Sequence, residues 1–180
     1  TLFLLYVNDL CSQSYPYCRL FAYADDTALI VSGNTWVEAI ENAEFAMKQT
    51  MTWLNRNLLT LNIDKTKFLT FASRKSVQPP RDSITLKAHV CNGRYSACNC
   101  SEIARTDNIR YLGVLVDSCF NWYVQLELVT TRIRSLLFIF KKLRGSADKQ
   151  ILFTVYTSLC ESLITYCIPI WGCACKTKFI

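Results

Sequence analysis

Two adjacent carboxylates in the tetrapeptide Tyr23-Ala24-Asp25-Asp26 are the side chains of this sequence best suited to chemistry. Apolar runs at 20–22 and 28–31 flank the tetrapeptide, and this pattern predicts a β-hairpin with the acidic pair at its tip. Adjacent carboxylates repel each other by on the order of 1 kcal/mol in water, and no Lys or Arg lies between Arg19 and Lys48 to offset them. A magnesium ion would offset the repulsion, because hard oxygen ligands suit it. An Asp-rich turn also explains the pair, since Asp favours turns.

A helix is expected directly after this hairpin. Thr35 and Glu38 have the spacing of a capping box, and apolar residues then recur at three- and four-residue steps until about residue 55. The expected core positions of this helix are Trp36, Ile40, Ala43, Met47, Met51 and Leu54. The helix should pack across the back of a sheet.

The remaining elements complete an α+β pattern. Residues 1–10 resemble the end of a buried helix or a short apolar segment, which Asn8-Asp9 should break. Strands are expected at 68–71, at 109–117 and weakly within 84–100, on both sides of an Asn92-Gly93 turn. Two further helices are expected at about 121–143 and 147–164, followed by an apolar segment that packs back on them. Their expected inward residues are Trp122, Leu126, Val129, Ile133, Leu136, Leu137, Phe140, Leu143, Ile151, Leu152, Val155, Leu159 and Leu163.

Composition and charge restrict the protein class. With 180 residues and 51% apolar side chains, the chain is long enough for one globular domain and part of another. No apolar run reaches the roughly 18 residues of a membrane helix, and no signal peptide is recognisable. The chain begins with Thr1 and an apolar run, so we expect a fragment of a longer protein. Residues 1–64 carry a net charge of −4 and residues 65–180 one of +10, a distribution that suits a metal site beside a polyanion or an ordinary solvated surface.

Ten cysteines are present without a recognisable disulfide framework. They are Cys11, Cys18, Cys91, Cys98, Cys100, Cys119, Cys160, Cys167, Cys173 and Cys175. We interpret them as reduced thiols, most of them small core residues of an intracellular protein.

Five motifs in a fixed order resemble the reverse transcriptase of non-LTR retrotransposons, in particular jockey-like elements. The motifs are Leu2–Leu10, Phe21–Asp26, Leu61–Lys67, Tyr111–Val114 and Leu163–Gly172. The resemblance extends over nearly the whole chain. It implies a partial polymerase palm at 1–118, an antiparallel sheet backed by helices, and a helical thumb at 119–180.

The resemblance also implies roles for individual residues. Asp25 would hold two magnesium (or manganese) ions with Asp26 beside it, and these ions would activate the primer 3′-hydroxyl and stabilise the leaving pyrophosphate. Tyr23 and Ala24 would lie near the primer end, although Ala24 could simply pack in a strand. Lys65 would protonate or neutralise the pyrophosphate, or it is a solvated surface lysine.

In the second part of the chain, the resemblance implies contacts with nucleic acid. Gly113 would allow close backbone approach in a strand that supports the primer. The basic residues of the thumb would face the phosphates of the template–primer duplex. They are Arg132, Arg134, Lys141, Lys142 and Arg144.

This chain lacks part of what the family carries. A complete palm has another Asp on an earlier strand, whereas the acid that precedes Asp25 here is Asp9, in a different motif. We therefore expect a C-terminal palm and thumb without the N-terminal palm and the fingers. The complete protein would copy an RNA template onto a DNA primer with deoxynucleotides, in the nucleus or cytoplasm. The chain by itself is expected to be inactive, because a two-metal site lacking one carboxylate loses affinity and alignment.

Three alternatives stay open. The chain could be a non-catalytic remnant of a decayed element that binds nucleic acid through its basic helix. A viral RNA-directed RNA polymerase has a similar palm, but such palms usually carry Gly where this chain has Ala24. Finally, His89, Cys91, Cys98 and Cys100 could form a zinc module, although their spacing departs from that of usual zinc sites.

Overall fold

The computed structural model describes residues 2–72, 79, 83–89, 91 and 98–172. The chain divides into two units, residues 1–109 and residues 110–180. The first unit contains helices α1 (Leu2–Cys11) and α2 (Trp36–Arg56) and strands β1 (Cys18–Tyr23), β2 (Asp26–Val31), β3 (Lys67–Phe68), β4 (Leu86–Lys87) and β5 (Glu102–Arg105). Strand β6 (Asn108–Tyr111) crosses the division. The second unit continues with β7 (Val114–Asp117), α3 (Tyr123–Leu143), α4 (Lys149–Val155), a π-helical segment (Tyr156–Glu161), α5 (Ser162–Thr165) and α6 (Ile168–Trp171). The predicted α+β class, with helices and small sheets, is therefore confirmed.

Strands β1 and β2 form the predicted antiparallel hairpin. The pairing runs without interruption from Cys18–Val31 at the base to Tyr23–Asp26 at the tip. At the base, Cys18 packs with Ala46 of α2, which is fully buried. The hairpin is thus fixed at its base by apolar contact with α2.

Helix α2 has the predicted cap and a wider buried surface than predicted. The Glu38 N–H donates to Thr35 Oγ1 over 3.2 Å, while the Glu38 carboxylate accepts from the Asn34 N–H over 2.8 Å. The most buried positions of the helix are Ala46, Met47, Thr50, Met51 and Trp53. Met47 and Met51 confirm the prediction, but the others were not predicted, because α2 contacts α1, the hairpin and β4 on different sides.

Helix α1 corrects the expectation for residues 1–10. The helix continues through Asn8-Asp9 as far as Cys11. Asn and Asp are weak helix formers, but each costs at most about 0.7 kcal/mol relative to Ala, so two of them need not end a helix. Only Val7 and Leu10 are buried, and both contact Trp53 of α2. Most of the apolar side chains at the start of α1 are exposed in the structure, Leu2 by 83%.

The strands after α2 differ from the prediction in length and number. Strand β3 includes only the first residue of the expected strand at 68–71, and β5 was not predicted. Strand β5 lies between its neighbours in a three-stranded sheet, parallel to β3 and antiparallel to β4. The expected Asn92-Gly93 turn lies outside the described residues.

In the second unit, Asp117 organises the start of α3. Its carboxylate accepts three backbone N–H groups, from Cys119, Asn121 and Trp122, over 2.6–3.0 Å. Trp122 then adopts a left-handed conformation (φ 61°) directly before the helix. Trp122 is also buried against Val114 and Trp171, the core of this unit.

The helices of the second unit bury fewer residues than expected. The helix expected at 147–164 is present as α4, the π-helical segment and α5. Leu137, Ile151 and Leu159 were expected inward, but they are exposed. A helical period predicts a continuous apolar stripe, whereas the short elements packed in this unit cover only part of it.

The cysteines are only partly core residues. No disulfide joins the eight cysteines that the structure describes, but only Cys18 and Cys160 among them are buried and Cys11 is exposed. The expectation that most are core residues is therefore wrong; Cys173 and Cys175 lie outside the described residues. No helix in the described part of the chain is long and apolar enough to cross a membrane.

Candidate metal and nucleic-acid sites

The hairpin tip presents its acidic pair to solvent. Asp26 is the first residue of β2 and pairs with Tyr23, so Ala24 and Asp25 form a two-residue turn. Ala24 has a positive φ of 53°, which tight hairpin turns require at their first central position. All four residues are exposed, and the Tyr23 side chain is 68% exposed. The strands therefore hold both carboxylates at an accessible edge, where a metal ion could reach them.

The base of the hairpin carries buried, neutral side chains, in contrast to the exposed acids at its tip. Burial raises the pKa of the Cys18 thiol, so this sulfur stays protonated at neutral pH. Burial also raises the pKa of Tyr15, and a hydrogen bond with the Thr50 hydroxyl (3.3 Å) opposes part of that rise. These neutral groups stabilise the packing at the base, and the negative charge of the hairpin is carried by Asp25 and Asp26 at its tip.

Asp25 and Asp26 offer the oxygen atoms that magnesium prefers, but they are only two ligands. In residues 2–72, 79, 83–89, 91 and 98–172, neither belongs to a group of three or more His, Cys, Asp or Glu side chains close enough to share an ion. The donor atoms thus fit a magnesium site, but two carboxylates are too few ligands to complete one.

Lys65 lies in a separate turn after α2. Its backbone N–H donates to Asn62 Oδ1 over 3.1 Å, and its side chain is exposed. Within the described ranges no ion pair joins Lys65 to Asp25 or Asp26. Its role at the pyrophosphate stays a prediction.

The sequence predicted Gly113 in the middle of a strand, and this prediction is wrong. Leu112 and Gly113 form the turn between β6 and β7, with φ values of 46° and 83°. Two successive positive φ values are typical of a tight hairpin turn, for which Gly is well suited. Tyr166 supports this turn, because its hydroxyl donates to the Leu112 carbonyl over 2.6 Å. The glycine is therefore needed for the turn conformation, and a contact with primer stays a prediction.

The basic residues in the second half of α3 and Arg144, directly after the helix, are all exposed. Ile133, Leu136, Phe140 and Leu143 form a half-buried stripe, and a helix turns by about 100° per residue. Three basic side chains therefore lie on the side opposite the stripe: Arg134, Lys141 and Lys142. Arg132 and Arg144 lie at its flanks. We call Arg134, Lys141 and Lys142 the basic face.

The basic face also carries exposed apolar side chains. Leu137 and Phe138 are 62% and 61% exposed, and the Lys142 Nζ lies 4.5 Å from the centre of the Phe138 ring. Helix residues 132–144 include no acid. This surface can attract phosphates and contact the apolar parts of a nucleic acid.

A curated protein similar to this chain is the probable RNA-directed DNA polymerase from transposon BS of Drosophila melanogaster. The two sequences are 25% identical over 190 aligned positions, which include 99% of this chain. The chain spans 19% of the length of that protein. No family model matches the chain, and the search of solved structures gave no significant match. The similarity supports a relation to the reverse transcriptases of transposons.

Proposed function

We propose that this chain is part of the reverse transcriptase of a jockey-like non-LTR retrotransposon, with a C-terminal palm followed by a thumb. The observation that carries the proposal is the exposed hairpin tip, where a two-residue turn presents Asp25 and Asp26 next to each other. Sequence similarity to a transposon polymerase over 99% of the chain independently supports the relation to a reverse transcriptase.

In this proposal the tip binds at the primer end. Magnesium or manganese, when bound, would supply activation of the 3′-hydroxyl and charge stabilisation of pyrophosphate. Asp25 and Asp26 supply oxygen ligands, and the exposed Tyr23 ring provides a surface beside the terminal nucleotide. Ala24 leaves space there, because its side chain is a single methyl group. Lys65 would neutralise the leaving pyrophosphate.

The 180-residue chain should not catalyse synthesis by itself. Its only acid before Asp25 is Asp9, an exposed residue of α1. Loss of one key electrostatic group costs about 3–4 kcal/mol of transition-state stabilisation in well-studied enzymes, which is a factor of about 10² to 10³ in rate. Loss of a shared metal ligand should cost at least as much.

Manganese binding tests the proposed site directly. In an isotope-labelled chain, millimolar Mn²⁺ should broaden the amide signals of the tip, and Asp25→Asn/Asp26→Asn should abolish the effect. Asp9→Asn, which removes an exposed acid elsewhere, should leave the broadening unchanged. Absence of broadening at the tip of the wild-type chain would contradict the proposed metal role.

Primer extension tests the proposed inactivity. With magnesium, deoxynucleotides and an RNA template annealed to a DNA primer, the chain should give no template-dependent product. Synthesis that disappears in Asp25→Ala would show that the two carboxylates suffice and that the proposal of an incomplete site is wrong.

A non-catalytic remnant that binds nucleic acid is the second candidate, and the exposed basic face of α3 favours it. Both candidates predict duplex binding, but they differ at the hairpin. A remnant has no need of a metal at Asp25, so duplex binding by a chain whose tip does not bind manganese would favour this candidate.

A further inference from the structure

Strands β4 and β5 bring together a histidine and three cysteines that the proposed polymerase function does not use. The antiparallel register pairs Leu86 with Ile103 and Lys87 with Glu102. The Ala88 N–H donates to the Ser101 carbonyl over 2.9 Å, which continues the same register by one step.

Continued further, this register places His89 opposite Cys100 and Cys91 opposite Cys98. Alternate residues of an extended chain point to the same side, so all four side chains can converge on one point. Their spacing departs from the two to four intervening residues of common zinc loops. When the ligands come from two paired extended segments, however, a single residue between the two ligands of each segment is a suitable spacing for a metal site.

The ligand atoms of this cluster are close to one another. The three sulfurs and a ring nitrogen of His89 all lie within 4.8 Å of one another. His89 Nδ1 is 3.1 Å from Cys98 Sγ and 3.8 Å from Cys91 Sγ. In a tetrahedral zinc site with ordinary bond lengths, neighbouring ligand atoms are about 3.5–3.8 Å apart. The four side chains therefore need only small shifts to surround an ion.

His89 is also oriented as a metal ligand. Its side chain is fully buried, and Nε2 lies 3.6 Å from Glu44 Oε1 of α2. A carboxylate next to one ring nitrogen favours the tautomer in which that nitrogen carries the proton, which leaves the other nitrogen able to bind a metal. Here the other nitrogen is Nδ1, which faces the cysteine sulfurs.

We propose that His89, Cys91, Cys98 and Cys100 bind one zinc ion in a structural site. Four protein ligands fill a tetrahedral shell and leave no position for a substrate. Thiolates select soft or borderline metals, so this site differs from the oxygen ligands at Asp25 and Asp26, which suit magnesium. Because Glu44 belongs to α2, the ion would connect β4 and β5 to the helix that supports the hairpin.

Zinc titration of the reduced, chelator-treated chain tests the proposal. Against a chromophoric chelator, the wild-type chain should bind about one zinc ion with micromolar or tighter affinity. Cys98→Ser/Cys100→Ser should weaken binding at least 100-fold, whereas the control Cys11→Ser/Cys119→Ser, which changes cysteines outside the cluster, should not. Cobalt substitution should give strong thiolate-to-metal absorption in the wild-type and control chains and lose it in the ligand variant.

Two further measurements separate ligand loss from misfolding. Glu44→Gln keeps all four ligands, and it should lower zinc affinity about 10- to 100-fold, as loss of such carboxylate partners usually does. In the wild-type chain, zinc should protect Cys91, Cys98 and Cys100 from alkylation and leave Cys11 reactive.

The result that overturns the proposal is a reduced wild-type chain that binds less than about 0.2 zinc ions. Equal zinc binding by the wild-type chain and Cys98→Ser/Cys100→Ser would overturn it as well. Neither outcome depends on the polymerase proposal, because the hairpin tip contributes no ligand to this cluster.

Discussion

Removal of two lysines from the basic face of α3 should change the salt dependence of nucleic-acid binding in a calculable way. The variant is Lys141→Gln/Lys142→Gln. Both side chains are exposed and lie in the last turn of α3, so the substitution should leave packing intact. Gln also has good helix propensity. The change therefore removes charge without a large effect on folding.

The expected size follows from counterion release. Each phosphate contact contributes about −0.9 to the slope of log K against log salt concentration. Three contacts from Arg134, Lys141 and Lys142 give a slope of about −2.7, so affinity should fall about 40-fold between 50 and 200 mM salt. In the variant, where Arg134 alone remains of the basic face, the slope should be about −0.9 and affinity should fall about 3- to 4-fold over the same salt range. At 0.15 M salt the variant should bind about 30-fold more weakly, if binding at 1 M salt is unchanged.

Fluorescence anisotropy with a labelled RNA–DNA duplex measures both quantities. The titrations are made without magnesium, because divalent cations compete for phosphate. Lys48→Gln/Arg56→Gln removes two charges from α2 in the first unit and serves as the control with equal net charge. If both variants change the slope equally, binding depends on net charge, and the argument for a specific basic face fails. An unchanged slope in Lys141→Gln/Lys142→Gln would refute it too.

Three smaller predictions concern stability, each measured by chemical denaturation. Asp117→Ala should destabilise the second unit by about 1–2 kcal/mol, because three backbone N–H groups lose their acceptor; an unchanged midpoint would contradict this. Gly113→Ala should cost about 1–2 kcal/mol through its positive φ, whereas Gly145→Ala, in open space, should be nearly neutral. Burial raises the pKa of Tyr15 in the folded chain. Its contribution to stability is therefore complete below pH 10 and is lost as pH rises through the pKa of the folded state. Tyr15→Phe should reduce that loss of stability, and equal losses in the wild-type and variant chains would exclude Tyr15 as the cause.

The sequence predicts best what nearby residues determine. The hairpin at the acidic pair depends on two short apolar runs and a tight turn, and its full register is present. The start of α2 depends on Thr35 and Glu38, three residues apart, and the predicted hydrogen bond forms. In each case the interacting groups are close in sequence, so propensity and spacing are sufficient.

Contacts between distant residues were harder to predict. A single apolar face does not reveal that α2 packs on several sides, and so the burial of Trp53 against Val7 was missed. Nor does the apolar run at 109–117 reveal its turn, because Leu112 adopts a positive φ that such residues rarely have. The sequence alone names His89 and three nearby cysteines as an alternative zinc module, but their convergence depends on the register of β4 and β5, which spacing along the chain does not contain.

The exposure of the hairpin tip sets the metal affinity expected of Asp25 and Asp26. In water, a divalent cation about 4 Å from two carboxylates gains about 4 kcal/mol of Coulomb energy, which corresponds to a Kd of about 1 mM. A surface that covers the tip and lowers the effective dielectric constant from about 80 to about 20 would increase this energy about fourfold before desolvation costs. The isolated chain should therefore bind Mn²⁺ at its tip with a Kd near 1 mM, and nuclear relaxation measured against Mn²⁺ concentration gives that constant. Micromolar binding there would mean that further ligands already surround the pair, contrary to the exposed geometry of the hairpin.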